Sequence, residues 1–144
     1  MDMFAKAAKP LNSQRFHFHD FMVKAQNEVQ SARQAEHADP ISRAADELMA
    51  GGQIICFDEM EVRDIADAMI IRRLFLAMWD RGMVLVTTSN RPPDLLYLDG
   101  LHRDRFLPFI DDLNTRLNIY EIASGQDWRK VFLASVSGWH LQPA

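Results

Sequence analysis

Apolar and polar positions fall in short blocks along the chain, and the period changes from block to block. Residues 15–21 (RFHFHDF) alternate aromatic and polar side chains, a period of two that predicts a strand. Residues 21–36 are polar, with Met22, Ala25 and Val29 at helical spacing, and predict a surface helix. Asp39-Pro40 is an N-cap followed by proline at the first helical position, and Gly51-Gly52 ends the helix so opened. Residues 53–59 (QIICFDE) form a compact apolar run closed by two acids, as expected of a central buried strand. In residues 62–80, Ile65, Met69, Ile70, Leu74 and Met78 recur at helical intervals, with Gly82 as the stop. Residues 83–90 (MVLVTTSN) predict another buried strand that turns polar at its end, and Arg91-Pro92-Pro93 bars its continuation. Residues 101–118 read as a helix irregular at Pro108, residues 119–124 (IYEIAS) as a fourth strand, and residues 128–136 as the start of a further helix.

Four short strands separated by helical segments predict β-α-β crossovers, hence an α/β fold with a parallel sheet and helices on both faces. Ligands in such sheets bind beyond the C-terminal ends of the strands. The polar residues predicted there are His19-Asp20, Asp58-Glu59, Thr88-Ser89-Asn90 and Ser124.

Composition narrows the class without naming a function. The 144 residues suit one domain, and 48% hydrophobic with 25% charged residues is the mixture of an ordinary globular protein. A net charge of -4 argues against attachment to nucleic acid by bulk charge. No apolar run approaches the ~18 residues that cross a bilayer, and no signal-peptide pattern opens the chain. The lone Cys56 makes no internal disulfide, so a reducing, cytoplasmic setting is the expectation.

Asp58-Glu59 is the strongest local chemical signal. Four apolar residues deliver two adjacent carboxylates to a strand rim, where a cation or a hydrogen-bond network must offset their charge. Mg²⁺ suits this arrangement because it keeps its waters and takes one or two carboxylates alongside substrate phosphates. Strand neighbours point to opposite faces, so Asp58 would organise the hydrated metal and Glu59 would polarise an attacking water. The alternative is that the pair merely ends a strand and opens a turn. Asn90 both donates to a phosphate oxygen and accepts from a water, although an Asn before Arg-Pro-Pro also suits a plain turn. Arg103 and Arg105 offer planar donors to a neighbouring phosphate; a solvated face paired with Asp104 is the simpler use. His17 and His19 sit two apart on the predicted first strand, hence on one face, but lack the convergent ligands a metal needs. Cys56 and the tryptophans Trp79, Trp128 and Trp139 read as packing residues.

Taken together, five stretches resemble AAA+ ATPases, and more closely the ZapE-type family of P-loop ATPases. They are RFHFHDFM (residues 15–22), IICFDEMEVRDIADAMIIRRLF (54–75), VLVTTSNRPPDLLY (84–97), GLHRDRFLPFID (100–111) and SGQDWR (124–129). The resemblance implies a three-layer αβα AAA+ core over residues 1–144 with ATP and Mg²⁺ as ligands. It makes Asp58 and Glu59 the Walker B pair and Asn90 the sensor 1 residue, and it puts the arginine finger at Arg103 or Arg105. A trans-acting arginine implies a homo-oligomeric ring, and the family's association implies cell-division partners. It gives no role to His17 or His19.

There are also departures. No G-x-x-x-x-G-K-[ST] loop occurs in the chain, residues 1–4 look like the helix that follows that loop, and Trp128 stands where the family usually has tyrosine. The expectation is therefore a partial domain lacking the P-loop strand and the C-terminal lid, marginally stable and a poor binder of ATP by itself. Tight binding of a fluorescent ATP analogue would contradict that. The alternative is a non-catalytic fragment or paralogue that acts as a protein-interaction module. A two-carboxylate hydrolase without nucleotide is a weaker third reading, because adjacent acids on opposite strand faces do not flank one scissile bond.

Overall fold

The computed structural model describes residues 1–122. Helix α1 (Asp2–Ala8) and a 3₁₀ turn (Lys9–Leu11) lead into strand β1 (Ser13–His17). Helices α2 (Phe18–Gln34) and α3 (Pro40–Met49) cross to β2 (Ile54–Asp58), and α4 (Ile65–Asp80) crosses to β3 (Val84–Thr87). Two 3₁₀ turns (Pro93–Leu95 and Arg103–Arg105) precede α5 (Leu107–Arg116).

The three strands form one parallel sheet in the order β1-β2-β3. Both crossovers step in the same direction along the sheet, so crossovers of one hand deliver their helices to one face. That face is the one occupied by α2, α3 and α4. Phe16, Ile55, Phe57 and Leu85 point to it and join the cluster built by α2, α3, α4 and α5. Helix α1 lies on the other side, against β1, where the Ser13 hydroxyl donates to the Ala5 carbonyl and Arg15 pairs with Asp2. The result is an α/β sheet flanked by helices, consistent with a P-loop NTPase core.

Phe57 is the centre of the core. Its ring meets Phe21 at 4.7 Å and Phe18 at 5.5 Å, both edge-on, and stacks on Phe75 at 6.0 Å between centroids. Local signals in the sequence set most element ends. Asp39 accepts hydrogen bonds from the backbone N–H groups of Ile41 and Ser42, and Asp64 accepts one from Ala66. Gly52 has φ +143°, and a Cβ there would lie 1.6 Å from the Asn12 carbonyl oxygen, so the two chain segments entering β1 and β2 pass this closely only because residue 52 is glycine.

Several boundaries differ from the sequence expectations. Strand β1 ends at His17 and α2 begins at Phe18, so His19 lies on the helix and does not share a strand face with His17. Phe18 and Phe21, three apart, are both buried against β2, and the helix wins because it buries both rings on one side. Helix α4 starts at Ile65 rather than at residue 62, where Asp64 supplies the cap. Residue 84 is 52% exposed and none of the four residues of β3 is buried, so this strand is not buried as expected. It is an edge strand among the described residues. The predicted helix 101–118 is interrupted: Arg103–Arg105 is a 3₁₀ turn, and the α-helix begins at Leu107 with Pro108 in its first turn. Residues 119–122 carry no strand, and the rest of the expected fourth strand, Ser124, the SGQDWR block, the helix at 128–136, Trp128 and Trp139 lie outside the described residues.

Candidate functional site

The rim beyond the C-terminal ends of the strands carries Asp58, Glu59 and Asn90; Glu59 lines two clefts there, one with Asn90 and one with Asp58, and Arg103 and Arg105 line neither. Strand β2 carries Asp58 in register with His17 of β1, on the face shared with Arg15 and Cys56. Glu59, just past the strand, turns away with φ +53°, a left-handed backbone that glutamate rarely adopts. The adjacent acids therefore differ because the chain leaves the strand between them, a sharper separation than simple strand alternation.

The turn at Glu59 is tied to the end of β3. The Glu59 N–H donates to the Thr88 hydroxyl at 3.2 Å, and the Met60 N–H donates to the Thr88 carbonyl at 2.8 Å. The Ser89 hydroxyl donates to the Met60 carbonyl at 3.2 Å. These bonds bring Glu59 and Asn90 onto the wall of one cleft of about 440 Å³, which Arg63, Tyr97 and Gly100 also line. Tyr97 sits at φ +54° and donates its hydroxyl to the Leu101 carbonyl, while a Cβ at Gly100 would press to 2.2 Å from its ring. The loop on that side of the cleft thus wraps its own tyrosine.

A second cleft, of about 480 Å³, shares Glu59, Glu61 and Arg63 with the first and is lined also by His17, His19, Asp58 and Asp67. Asp58 is only 16% exposed, and its Oδ2 receives Nε and Nη2 of Arg15 at 2.7 and 2.6 Å. These bonds, then those to Asp2, push the Arg15 guanidinium pKa further up, so it stays charged. Asp67 is buried apart from a hydrogen bond of 2.6 Å from Gln26, and its burial pushes its carboxyl pKa up. Glu61, at the mouth, is held below the usual carboxylate range by its bond from Arg63. Buried Cys56 has its thiol pKa pushed up by burial, as befits a small packing residue.

No group of three His, Cys, Asp or Glu converges to hold a metal among the described residues. The donor set instead fits a divalent ion held by one carboxylate, Asp58, with water and substrate oxygens completing it. Glu59 lines the cleft that Asn90 also lines.

The two arginine candidates behave differently. Arg103 donates from Nη2 to the Asp94 carbonyl at 2.7 Å, and its Nε is buried without a partner among the described residues. Arg105 is exposed, and its side chain makes no hydrogen bond or ion pair among the described residues. Three contributions are not assigned by the sequence pattern: the ion pair of Arg15, the backbone tie made by Thr88, and the wrapped ring of Tyr97. For Arg15 a signal existed, since a basic residue two before His17 on β1 shares the face of the strand-ending acid. It becomes readable only once β1 and β2 are known to be parallel neighbours.

Comparison with known proteins gives a consistent assignment. The family model described as AFG1-like ATPase matches residues 1–143. The chain is 40% identical over 139 residues to the cell division protein ZapE of Escherichia coli K12, covering 96% of this chain and 36% of that protein. It is 38% identical over 138 residues to lactation elevated protein 1 homolog B of Danio rerio, covering 90% of this chain and 27% of that protein. The chain thus spans about a third of the length of the curated relatives it matches. No solved structure matches it significantly.

Proposed function

Because the chain belongs to the AFG1-like ATPase family, we propose that it carries the metal-organising and water-activating half of a Mg²⁺-dependent site hydrolysing the β–γ bond of ATP. In this reading Asp58 orients hydrated Mg²⁺, the ion supplying charge stabilisation at the phosphates when bound. Glu59 accepts the proton of the attacking water, and Asn90 holds that water or meets the γ-phosphate. The observation that carries the reading is the cleft shared by Glu59 and Asn90, whose two walls are locked together through Thr88.

The strained backbone at Glu59 supports it. A left-handed glutamate at the rim of a cleft is an expense to the fold, and such outliers cluster where chemistry requires them. Between the two arginines, Arg105 is the better trans-acting finger, because Arg103 is committed to the Asp94 carbonyl. A neighbouring subunit's nucleotide is then the target, and a ring the assembly. Cell division is the process named for the bacterial relative, and we extend it to this chain as part of the same proposal.

In the whole protein, Glu59→Gln is expected to leave ATP binding intact and lower turnover by about a hundredfold or more, as loss of a positioned general base does. Binding of a fluorescent ATP analogue and phosphate release measure the two separately. Turnover retained by the glutamine variant would refute the assignment of the base.

A further inference from the structure

Arg15 holds two carboxylates at once. Its Nε and Nη2 both donate to Oδ2 of Asp58, while Nη1 pairs with Asp2 on α1. The partners are unequal, since the Asp58 side chain is 16% exposed and that of Asp2 is 71% exposed. A largely buried carboxylate left unpaired is far costlier than one in water, so the fold depends on the Asp58 contact and tolerates loss of the other. Sheet geometry imposes the arrangement. His17 stands opposite Asp58, and Arg15, two residues earlier on the same face, reaches it diagonally across the parallel pair.

We propose that Arg15 is the resident counter-charge of Asp58, and that a divalent cation arriving at Asp58 displaces the guanidinium onto Asp2. The inference rests on the reading of Asp58 as the metal-organising carboxylate. Two cations then compete for the charge of one carboxylate, whose Oδ2 the guanidinium already occupies, and Asp2 is the second seat that keeps the displaced arginine compensated. Arg15 thereby acts as a positioning residue: it fixes the Asp58 side chain before the metal arrives and sets how tightly the metal is held. It also links the arrival of the metal to α1, the helix that carries Asp2.

Mn²⁺ is the probe, with the free ion counted from its paramagnetic resonance signal in titrations of the full chain without nucleotide. Arg15→Gln is expected to bind Mn²⁺ about fivefold tighter than the parent, and Arg15→Lys, which keeps the charge, to return most of the way to the parent value. Equal or weaker binding by a folded Arg15→Gln overturns the proposal. Asp2→Asn alters an exposed side chain on which folding does not depend. It is expected to weaken Mn²⁺ binding about twofold, and to have no effect once Arg15 is glutamine. An Asp2→Asn effect that persists without Arg15 overturns the displacement onto Asp2. Asp58→Asn separates the two readings. If it leaves Mn²⁺ binding unchanged, the ligand assignment falls and the competition with it; if it weakens binding while Arg15→Gln does nothing, only the role of Arg15 falls.

Discussion

The two faces of the sheet are unequally built. One carries Phe16, Ile55, Phe57 and Leu85 beneath four helices, and the aromatic rings of α2, α4 and α5 meet there. Among the described residues the other carries Arg15, Cys56, Asp58, Val84 and Val86, with α1 packed along β1. Adjacent residues of β2 therefore live in different worlds: Phe57 anchors a core, while Asp58 sits in an ion pair. The lesson is a division of labour by strand alternation, in which one side of a strand supplies stability and frees the rim and the other side for charge.

Substitutions on the two faces break or sharpen that contrast. Removing the Phe57 ring empties the centre of the aromatic cluster, and Phe57→Ala is expected to destabilise by about 3–5 kcal/mol, read from denaturant midpoints at constant slope. A loss below the cost of an ordinary surface change would mean that the helical face is not the seat of stability.

Asp67 gives a smaller and pH-dependent test on the helical side. Burial raises its carboxyl pKa above the ordinary 3.8, so between that value and the raised one the folded state keeps a proton the unfolded state has released. Stability contributed by this group is greatest below that window and falls as pH rises through it. Asp67→Asn keeps an acceptor for Gln26 and removes the ionisation, so it should flatten that slope and stabilise the protein at neutral pH by about 0.5–1 kcal/mol. Thermal melts across the acid range measure both effects, and an unchanged slope would locate the titration elsewhere. The smallest change belongs to the other face, where half-exposed Val84→Ala should shift stability by less than about 0.5 kcal/mol.

The contrast was partly readable beforehand. QIICFDE announced β2, Asp39-Pro40 announced the start of α3, and the paired glycines its end, because each is a local signal with a local cause. The exposure of β3 is not readable from its own residues, since VLVT has the same composition whether it is central or, as among the described residues, at an edge, and only strand order decides. The end of β1 is hidden because F-H-F-H-D-F satisfies a period of two up to His17 and a helical spacing from Phe18 to Phe21. In the candidate site, the acids and Asn90 were visible as polar ends of apolar runs. The Thr88 tie and the Arg15 pair are products of register, which no single segment contains.

On the proposed reading, residue 59 pits folding against use. Glycine takes its backbone geometry freely, and exchanging glutamate for glycine there would relieve about 1 kcal/mol of conformational penalty. Laboratory evolution under heat alone should therefore drift to glycine at this position and yield hardier molecules without the carboxylate. Only a concurrent demand for turnover would keep the acid in place.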